Sequence, residues 1–393
     1  MLAAAGFASL HIAVTNVRQE RTMRLIGTRN GGCLAAFFVA LVLCLAGAGR
    51  AGAAIWSIQR APARAGAIAT VLAGVSCTSP EACVAVGGPD DEPGVMLAEK
   101  WDGGRWTIQP TRTPAGSIQS FLDGVSCLSI SDCLAVGYAV DRRGVVTALS
   151  LRWDGSSWSQ RRIPRPARSI ATLLAGISCT SQSMCTAVGS AENRAAVWFT
   201  LVERWNGSHW TIQRTPRVPY GQLAGVSCGS ARACTAVGLD VGGELVEHWN
   251  GTTWRRDRSH EIVTGDTELN AISCAAPTAC AAGGAAVIPS TIIWPLLQSW
   301  SSGRWSVRPM PGQPPGMVYG VSCTSRTACV AVGSDSLVEE RRGDRWSIDL
   351  APGPEQANLY AVSCAGRTCM AVGSLIDPRG REVPLAESII DSR

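Results

Sequence analysis

The feature that most constrains this chain is a cysteine pair that recurs seven times. Each copy reads as a short apolar stretch, Ser-Cys, a polar loop of four or five residues, a second cysteine, and Ala-Val-Gly or a close variant. The first cysteines of successive copies are 50, 52, 49, 46, 49 and 41 residues apart. A period of this length indicates a repeat architecture built from one supersecondary unit. The pairs are Cys77/Cys83, Cys127/Cys133, Cys179/Cys185, Cys228/Cys234, Cys274/Cys280, Cys323/Cys329 and Cys364/Cys369.

Each copy divides into four strand-like pieces. In the first copy they are residues 71–77, 83–87, 95–101 and 106–109. Asp102-Gly103 separates the last two pieces, and Asp-Gly favours the tight turn of an antiparallel hairpin. Four strands in about 40–50 residues is the length of a propeller blade. The sequence therefore predicts an all-β protein, a seven-bladed β-propeller with four antiparallel strands per blade.

The two ends of the repeat region complement each other. The seventh copy stops after its third strand, residues 385–390, and lacks the fourth strand with its tryptophan. Near the N-terminus, Trp56-Ser57-Ile58-Gln59 matches the fourth strand of the first copy, Trp106-Thr107-Ile108-Gln109. We therefore predict that the N-terminal strand completes the last blade and closes the ring, which removes two exposed sheet edges. Residues 54–393 form the predicted propeller domain.

Residues 1–53 have the organisation of an N-terminal extension and an export signal. Arg24 and Arg29 precede an apolar run over 33–47, and small residues end at Ala53, where we expect cleavage. The run is shorter than the ~20 residues that span a bilayer, although a transmembrane anchor is the alternative. We expect a secreted protein, extracellular or at the cell surface, without a membrane span after cleavage.

The fourteen cysteines of the repeats are an even number in an exported chain, which favours disulfides. Zinc is the alternative for closely spaced cysteines. Each copy offers only two thiols, and the four histidines of the chain do not recur with the motif. We predict seven disulfides within the copies, no metal site and no cofactor.

Charge gives little support for a nucleic-acid partner. The chain has 35 Lys and Arg against 30 Asp and Glu, and the first 53 residues hold five of those bases and one acid. The remainder is close to neutral, whereas nucleic-acid binding depends on positive charge. We therefore expect no nucleic-acid partner.

The chain resembles the kelch and galactose-oxidase type of propeller, and more closely the cysteine-containing propeller repeats of secreted actinobacterial proteins of unknown function. The resemblance covers residues 54–393. Gly87-Gly88 and Gly283-Gly284 match the kelch double glycine, while the other five copies keep one glycine and the cysteine pair is not a general kelch feature. The resemblance implies the fold and no particular activity.

Motifs that suggest enzymes have structural interpretations here. Gly225-Val226-Ser227-Cys228-Gly229 matches the G-x-S-x-G elbow of serine hydrolases, but the serine recurs in every copy, where we expect it to bond the adjacent turn. Asp102 and Gly103 are adjacent, unlike the aspartate and glycine of the sialidase Asp-box. A galactose-oxidase copper site needs ligands that the scattered histidines do not provide. No catalytic residue is predicted.

Candidate ligand-binding residues come from positions that depart from the repeat. In a propeller, the loops that join the fourth strand to the next blade and the second strand to the third lie at one end of the ring. These loops vary between copies, and binding residues concentrate on such loops. Two tryptophans lie outside the repeated positions and could stack on sugar rings, and four residues of the first strands interrupt a series of alanines at the expected channel mouth. The candidates are Trp198, Trp294, Asp123, Asn270, Tyr319 and Tyr360.

These observations favour a non-enzymatic binding or scaffold protein, expected to be a monomer, that holds a cell-wall glycan or an extracellular protein. An extracellular polysaccharide hydrolase or lyase on the same scaffold is the alternative. A glycosidase generally needs two carboxyl groups at a defined separation, and no such pair emerges among the variable residues.

Overall fold

The computed structural model describes residues 55–63, 69–89, 94–257, 266–288, 292–301, 303–308, 315–343, 345–348 and 357–390. Their regular secondary structure is β-strand, apart from one short helical turn at Ser334–Ser336. No helix among them is long and apolar enough to cross a membrane. The predicted signal peptide and its cleavage after Ala53 lie outside the described residues.

Blades 1 to 3 each consist of four strands that follow one another along the chain. They are β2 (Val71–Ser79), β3 (Ala82–Gly88), β4 (Leu97–Trp101) and β5 (Trp106–Ile108); β6 (Ser117–Ser129), β7 (Asp132–Asp141), β8 (Val146–Trp153) and β9 (Trp158–Arg161); and β10 (Ser169–Ser181), β11 (Met184–Asn193), β12 (Trp198–Trp205) and β13 (Trp210–Ile212).

Blades 4 to 6 repeat this arrangement, and blade 7 takes its fourth strand from the N-terminal end of the described chain. The strands are β14 (Gln222–Ser230), β15 (Ala233–Asp240), β16 (Gly243–Trp249) and β17 (Trp254–Asp257); β18 (Asp266–Ala276), β19 (Ala279–Ile288), β20 (Ile292–Ser301) and β21 (Arg304–Arg308); β22 (Val318–Cys323), β23 (Ala328–Gly333), β24 (Val338–Arg342) and β25 (Arg345–Ile348); and β26 (Asn358–Ala365), β27 (Thr368–Ile376), β28 (Glu382–Ile390) and β1 (Ile55–Gln59).

The seven sheets form a closed ring. Every sheet is antiparallel. Six sheets have their strands in sequential order, and the last sheet has the order β1-β28-β27-β26. The first strand of each blade is innermost and contacts the first strand of the next, and the series returns from β26 to β2. Trp56 of β1 pairs with Ile389 of β28. The predicted seven-bladed propeller and its closure by the N-terminal strand are confirmed.

A β-bulge interrupts the innermost strand of every blade at the same place. In blade 1 the bulge lies between Leu72 and Gly74, so that Ala73 has no partner across the ladder. The strand approaches its neighbour so closely here that a Cβ atom on Gly87 would lie 2.0 Å from the Val71 carbonyl oxygen. The equivalent glycines of the other six blades meet the same obstruction at 1.8 to 2.2 Å. The recurrent glycine of Ala-Val-Gly is therefore required by the bulge.

The recurrent serine joins neighbouring blades. The Ser76 hydroxyl accepts a hydrogen bond of 3.0 Å from the backbone N–H of Cys127 in the next blade. The same bond forms at all seven interfaces, at 2.9 to 3.0 Å, and the seventh runs from Cys77 N–H in blade 1 to Ser363 in blade 7. The expectation that this serine bonds the turn of its own blade was wrong, because the side chain points out of the sheet toward the next blade.

The cysteines of the repeat staple each blade internally. All seven predicted disulfides are present, each between directly opposed residues of the first and second strands. Closing a loop of about seven residues contributes ~2 kcal/mol in the chain-entropy treatment. The bonds join Cys77 to Cys83, Cys127 to Cys133, Cys179 to Cys185, Cys228 to Cys234, Cys274 to Cys280, Cys323 to Cys329, and Cys364 to Cys369.

The two cysteines of a pair differ in their surroundings. The first cysteine of each pair is half-buried, whereas the second lies in the hydrophobic core. The second cysteines are therefore structural residues of the blade core and offer no surface to a ligand. They are Cys83, Cys133, Cys185, Cys234, Cys280, Cys329 and Cys369.

The repeated tryptophans pack on the outer part of each blade. Trp101 and Trp106 pair across the outer hairpin with ring centroids 5.7 Å apart, on the face that packs against blade 7. Blades 2 to 5 have equivalent pairs. Their large apolar area supports the predicted role in packing between blades.

Removing one serine hydroxyl should test whether the ring is equally tight at its seam. Ser178→Ala, inside the ring, and Ser363→Ala, at the junction of blades 7 and 1, each leave one cysteine N–H without its acceptor. Each should lower the free energy of unfolding by about 1–2 kcal/mol, measured by chemical denaturation. A loss at Ser178 with no loss at Ser363 would show that the ring opens at the seam.

Candidate functional site

The two ends of the ring differ in how closely they follow the repeat. We call the end formed by the first-to-second and third-to-fourth strand connections the turn face. Here Asp102 Oδ1 accepts hydrogen bonds from the N–H groups of Gly104 and Arg105, and Gly103 has a φ of +91°. Asp154, Asn206 and Asn250 form the same turn. These polar groups are occupied by the turn itself, which leaves a uniform face.

The opposite end, which we call the loop face, carries the backbone strain of the molecule. Among the described residues, five other than glycine have a positive φ, and all lie in connections of this face: Arg168, Ala196, Tyr220, Asp335 and Ser336. A left-handed conformation costs such residues about 1–2 kcal/mol. Strain of this kind concentrates at functional sites.

Exposed apolar side chains also concentrate on the loop face. Of the ten large apolar side chains that are exposed in the described chain, six lie on strand ends or loops of this face, which a soluble surface does not need for folding. They are Ile118, Ile170, Tyr220, Val241, Ile292 and Ile376. The loop face thus combines variable sequence, strained backbone and exposed apolar side chains.

The four channel candidates occupy the bulge position of their blades. Asp123, Asn270, Tyr319 and Tyr360 each correspond to Ala73 of blade 1. The rings of Tyr319 and Tyr360, from adjacent blades, are 5.4 Å apart. Both belong to an apolar cluster that joins the innermost strands of several blades and includes Phe121, Leu173 and Val71. These strands contact one another in turn around the ring, so the cluster runs along the innermost strands of successive blades.

The two polar candidates, Asn270 and Asp123, are engaged within the ring. Asn270 Nδ2 donates to the Val318 carbonyl of the next blade at 3.2 Å and lies 3.4 Å from Glu268 Oε1. Asp123 retains some accessible surface, but its Oδ2 atom is buried without a hydrogen bond from the described residues. Burial deep in the ring raises the pKa of Asp123 well above its ordinary value, so the neutral acid is favoured.

The two candidate tryptophans lie at the loop-face ends of third strands. Trp198 begins β12, is half-buried and packs against the apolar cluster that includes Phe121 and Leu173. Trp294 lies near the start of β20, opposite Ala286, and is also half-buried. The two are in blades 3 and 5 and do not form one platform. Part of each indole is therefore available to a ligand, at separate points of the loop face.

One arrangement has the elements of a hydrolase triad. In blade 4, Thr235 Oγ1 lies 3.0 Å from His248 Nδ1, and His248 Nε2 lies 3.0 Å from Asp257 Oδ2. These residues are side by side on three adjacent strands, and the imidazole also packs 4.9 Å from the Trp300 ring of blade 5. Thr235 is only 4% exposed, within the interface between blades. A substrate carbonyl cannot reach that hydroxyl, so the chain of hydrogen bonds serves blade packing.

A buried glutamate recurs between blades, and sequence reasoning missed it. Glu99, on the third strand of blade 1, is fully buried between Leu97 and Trp101, on the side that packs against blade 7. The signal was an acid two residues before the third-strand tryptophan, as in Glu-Lys-Trp and Glu-Arg-Trp. Blades 3, 4, 6 and 7 have glutamate at this position, blade 5 has glutamine and blade 2 leucine: Glu203, Glu247, Glu339, Glu387, Gln298 and Leu151.

Burial sets the protonation state of these glutamates. It raises the pKa of Glu99, Glu203 and Glu247 to about 8 and that of Glu387 to about 7. The neutral acid of Glu99, Glu203 and Glu247 is therefore favoured at neutral pH, whereas the two forms of Glu387 are similarly populated. Each carboxyl lies at a separate interface with no exposed surface, so the set cannot supply the paired acid and base of a glycosidase.

In the described part of the chain, no group of three or more His, Cys, Asp and Glu side chains is arranged to hold a metal ion. The fourteen cysteines of the repeats are all disulfide-bonded. His260, one of the four histidines, lies outside the described residues.

Comparisons with known proteins show the fold. No protein-family model matches the chain, and no curated protein matches it. Solved structures do. YCF48 from Cyanidioschyzon merolae is 14% identical, with a TM-score of 0.54 over 85% of this chain and 98% of that one. YCF48 bound to D1 peptide is 12% identical, with a TM-score of 0.53 over 84% and 96%. The WD40 repeats of RRP9 are 13% identical, with a TM-score of 0.56 over 85% and 96%. At these identities the likeness extends to the propeller fold alone.

The buried glutamates make stability depend on pH. Below about pH 4.5 the folded and unfolded chains both hold these protons. Between there and about pH 8 the unfolded chain releases protons that the folded chain retains, so the free energy of unfolding falls as the pH rises, by at most about 1.4 kcal/mol per pH unit for each group. Calorimetry should show a melting temperature that decreases from pH 5 to pH 8.

The neutral variant Glu99→Gln, which copies the Gln298 of blade 5, should reduce this slope. The exposed Glu81→Gln on the turn face is the matched control and should leave the slope unchanged. A melting temperature that is flat over this pH range in the unmodified protein would contradict the assignment.

Proposed function

We propose that this protein is a non-enzymatic binding scaffold that acts outside the cell and holds its ligand on the loop face. The observation that carries the proposal is the division between the two ends of the ring. The cysteines, glycines, serines and tryptophans of the repeat are used to build and join blades. All five strained residues other than glycine in the described chain, and six of its ten exposed large apolar side chains, lie on the loop face.

Two further observations support the proposal. Seven disulfides are typical of proteins that work in an oxidising compartment, which agrees with the export signal predicted for residues 1–53. One of the structures with the same fold is YCF48 bound to D1 peptide, so a propeller of this shape can hold a peptide. A cell-wall glycan or an extracellular protein are the two ligand classes that we propose, with Trp198 and Trp294 as contact residues. We also propose, on the resemblance described above, that the chain is related to kelch-type propellers and to the cysteine-containing propellers of secreted actinobacterial proteins.

The alternative, a polysaccharide hydrolase or lyase, has weaker support. The recurrent carboxyls lie buried at five separate blade interfaces. In the Thr235-His248-Asp257 array the imidazole and the carboxylate are about a quarter exposed, but the hydroxyl that would act as the nucleophile is buried. Neither arrangement therefore presents a complete set of reacting groups to a polymer.

A binding screen followed by paired substitutions tests the proposal. The mature protein should be screened against cell-wall polysaccharides, a glycan array and extracellular proteins, with and without EDTA. Trp198→Ala and Trp294→Ala should weaken binding to the ligand found by about fivefold or more, because each removes apolar contact area on the loop face. Asn206→Ala and Asn250→Ala on the turn face should change the melting temperature and leave binding unchanged.

Two results would contradict the proposal. Binding that survives both tryptophan changes and is lost with the asparagine changes would place the site on the turn face. Turnover of a polysaccharide that a single Asp or Glu substitution abolishes would make the protein an enzyme.

A further inference from the structure

One sector of the loop face is strongly cationic, although the domain as a whole is close to neutral. The five loop-face connections between residues 109 and 221 contain nine arginines and no acidic residue, whereas the second-to-third strand connection of blade 1 carries Asp90, Asp91 and Glu92. We call these connections, residues 109–116, 142–145, 162–168, 194–197 and 213–221, the arginine loops. Their arginines are Arg112, Arg142, Arg143, Arg162, Arg165, Arg168, Arg194, Arg214 and Arg217.

These arginines are available to a partner. All nine are exposed, and none forms an ion pair within the part of the chain that the structure describes. The nearest carboxylate in sequence, Asp141, accepts hydrogen bonds from the N–H groups of Arg143 and Val145, so it is occupied by its own turn. Asp141 also interacts electrostatically with Arg143. Cations in such excess over carboxylates attract anions and disfavour cationic partners.

The turn face of blades 1 to 3 has the opposite character. Its connections carry Glu81, Asp102 and Asp154, and the one arginine in them, Arg105, lies 3.6 Å from the Asp102 carboxylate. The cationic sector is therefore a property of one end of the ring and not of the blades in general.

The arginine loops are held in place by a turn that repeats three times. Ser117 N–H, Ser169 N–H and Gly221 N–H each donate to the carbonyl three residues earlier, at 3.1 to 3.2 Å. The residue before each donor has a positive φ: Gly116 at +83°, Arg168 at +67° and Tyr220 at +58°. A Cβ atom on Gly116 would meet nothing within 4 Å, so this turn position opens to solvent. The second and third of these turns thus keep a strained Arg and Tyr where glycine would relieve the strain.

Apolar side chains lie beside the arginines. Ile118 and Ile170, the second residues of β6 and β10, are 44% and 41% exposed, and Tyr220 is 49% exposed. Arginine and aromatic residues are enriched in protein interfaces, and acids are depleted there. Branched aliphatic side chains suit the apolar side chains of a peptide better than the hydroxyl-covered faces of a sugar, which stack on flat aromatic rings.

We propose that the arginine loops bind a polypeptide segment that carries several carboxylates with apolar side chains between them. The arginines pair with the carboxylates, and Ile118, Ile170 and Tyr220 contact the apolar residues. This inference rests on the proposed binding role of the loop face and specifies its partner.

Fluorescence anisotropy with defined probes tests the inference. The probes are a labelled twelve-residue peptide that alternates Glu with Leu or Phe, a peptide of twelve Glu residues, a single-stranded oligonucleotide of twelve bases and dextran sulfate. The alternating peptide should bind at least about tenfold more tightly than the all-Glu peptide, and its affinity should fall as salt is raised. Equal or tighter binding of the oligonucleotide, dextran sulfate or all-Glu peptide would overturn the inference in favour of a general polyanion site.

A matched pair of charge reversals locates the site. R162E/R165E/R168E reverses one arginine loop, and R105E/R232E/R326E reverses three exposed arginines of the turn face, so both variants change the net charge equally. The first should weaken binding of the alternating peptide by about thirtyfold or more, and the second by less than about threefold. Equal losses in the two variants would overturn the assignment of the site.

Arg168→Gly separates binding from folding. It copies Gly116 of the equivalent turn and relieves the strain, so it should raise the melting temperature by about 2 °C. Because it also removes a guanidinium group, it should weaken binding of the alternating peptide by about fivefold. A variant that loses stability, or that binds as before, would contradict a binding role for the strained arginine.

The outcomes also distinguish this inference from the broader proposal. A ligand that is found in the screen, and that is lost with Trp294→Ala but not with R162E/R165E/R168E, would leave the loop face as the binding surface and overturn the arginine-loop inference. Binding that survives both Trp294→Ala and R162E/R165E/R168E would contradict the arginine-loop inference and the proposed role of the loop face.

Discussion

The innermost strands of neighbouring blades lie very close together, and the geometry of the whole ring is built on this contact. A Cβ atom on Gly74 would be 3.0 Å from the Asp123 carbonyl oxygen of the next blade, and the bulge at Ala73 or its counterpart bends each of these strands. The bulge in turn brings the strand against Gly87 and its equivalents, where no side chain fits. Serine hydroxyls then link each blade to the backbone of the following one. The recurrent glycine and serine follow from this one geometry.

Much of this architecture could be predicted from the sequence because it repeats. The period, the cysteine pairs and the missing fourth strand of the last copy gave the blade count, the disulfides and the closure by Trp56. The role of the recurrent serine could not be read in the same way. A contact between blades joins residues about 50 positions apart, such as Ser76 and Cys127, and spacing within one copy does not report it.

The arginine loops of the proposed binding site could not be predicted from the sequence. A net charge summed over the domain hides a local excess, and Arg112 and Arg217 come to lie on one face only after four blades are arranged in order. The strain at Arg168 and Tyr220 has no signature in residue type. The candidates Tyr319 and Tyr360 do meet, but as members of an apolar cluster of the innermost strands, because both occupy the bulge position of adjacent blades.

The structural roles of the recurrent residues explain why the repeat itself carries no catalytic signal. Residues that recur are committed to blade geometry, including the glutamates that lie buried between blades. Residues that vary sit on loops whose conformations are fixed by hydrogen-bonded turns and prolines. A rigid ring can therefore present different side chains on its loop face without changing its core.

Seven equivalent contacts between blades close the ring, and amide hydrogen exchange can measure the stability of each contact. The seven cysteine N–H groups that donate to serine are equivalent probes, one at each interface. A closed ring predicts that Cys77, at the seam between blades 7 and 1, exchanges as slowly as Cys127, Cys179 and Cys228 inside the ring. Exchange at Cys77 that is faster by several orders of magnitude, with the interior sites still protected, would show an open array of blades and contradict the closed ring.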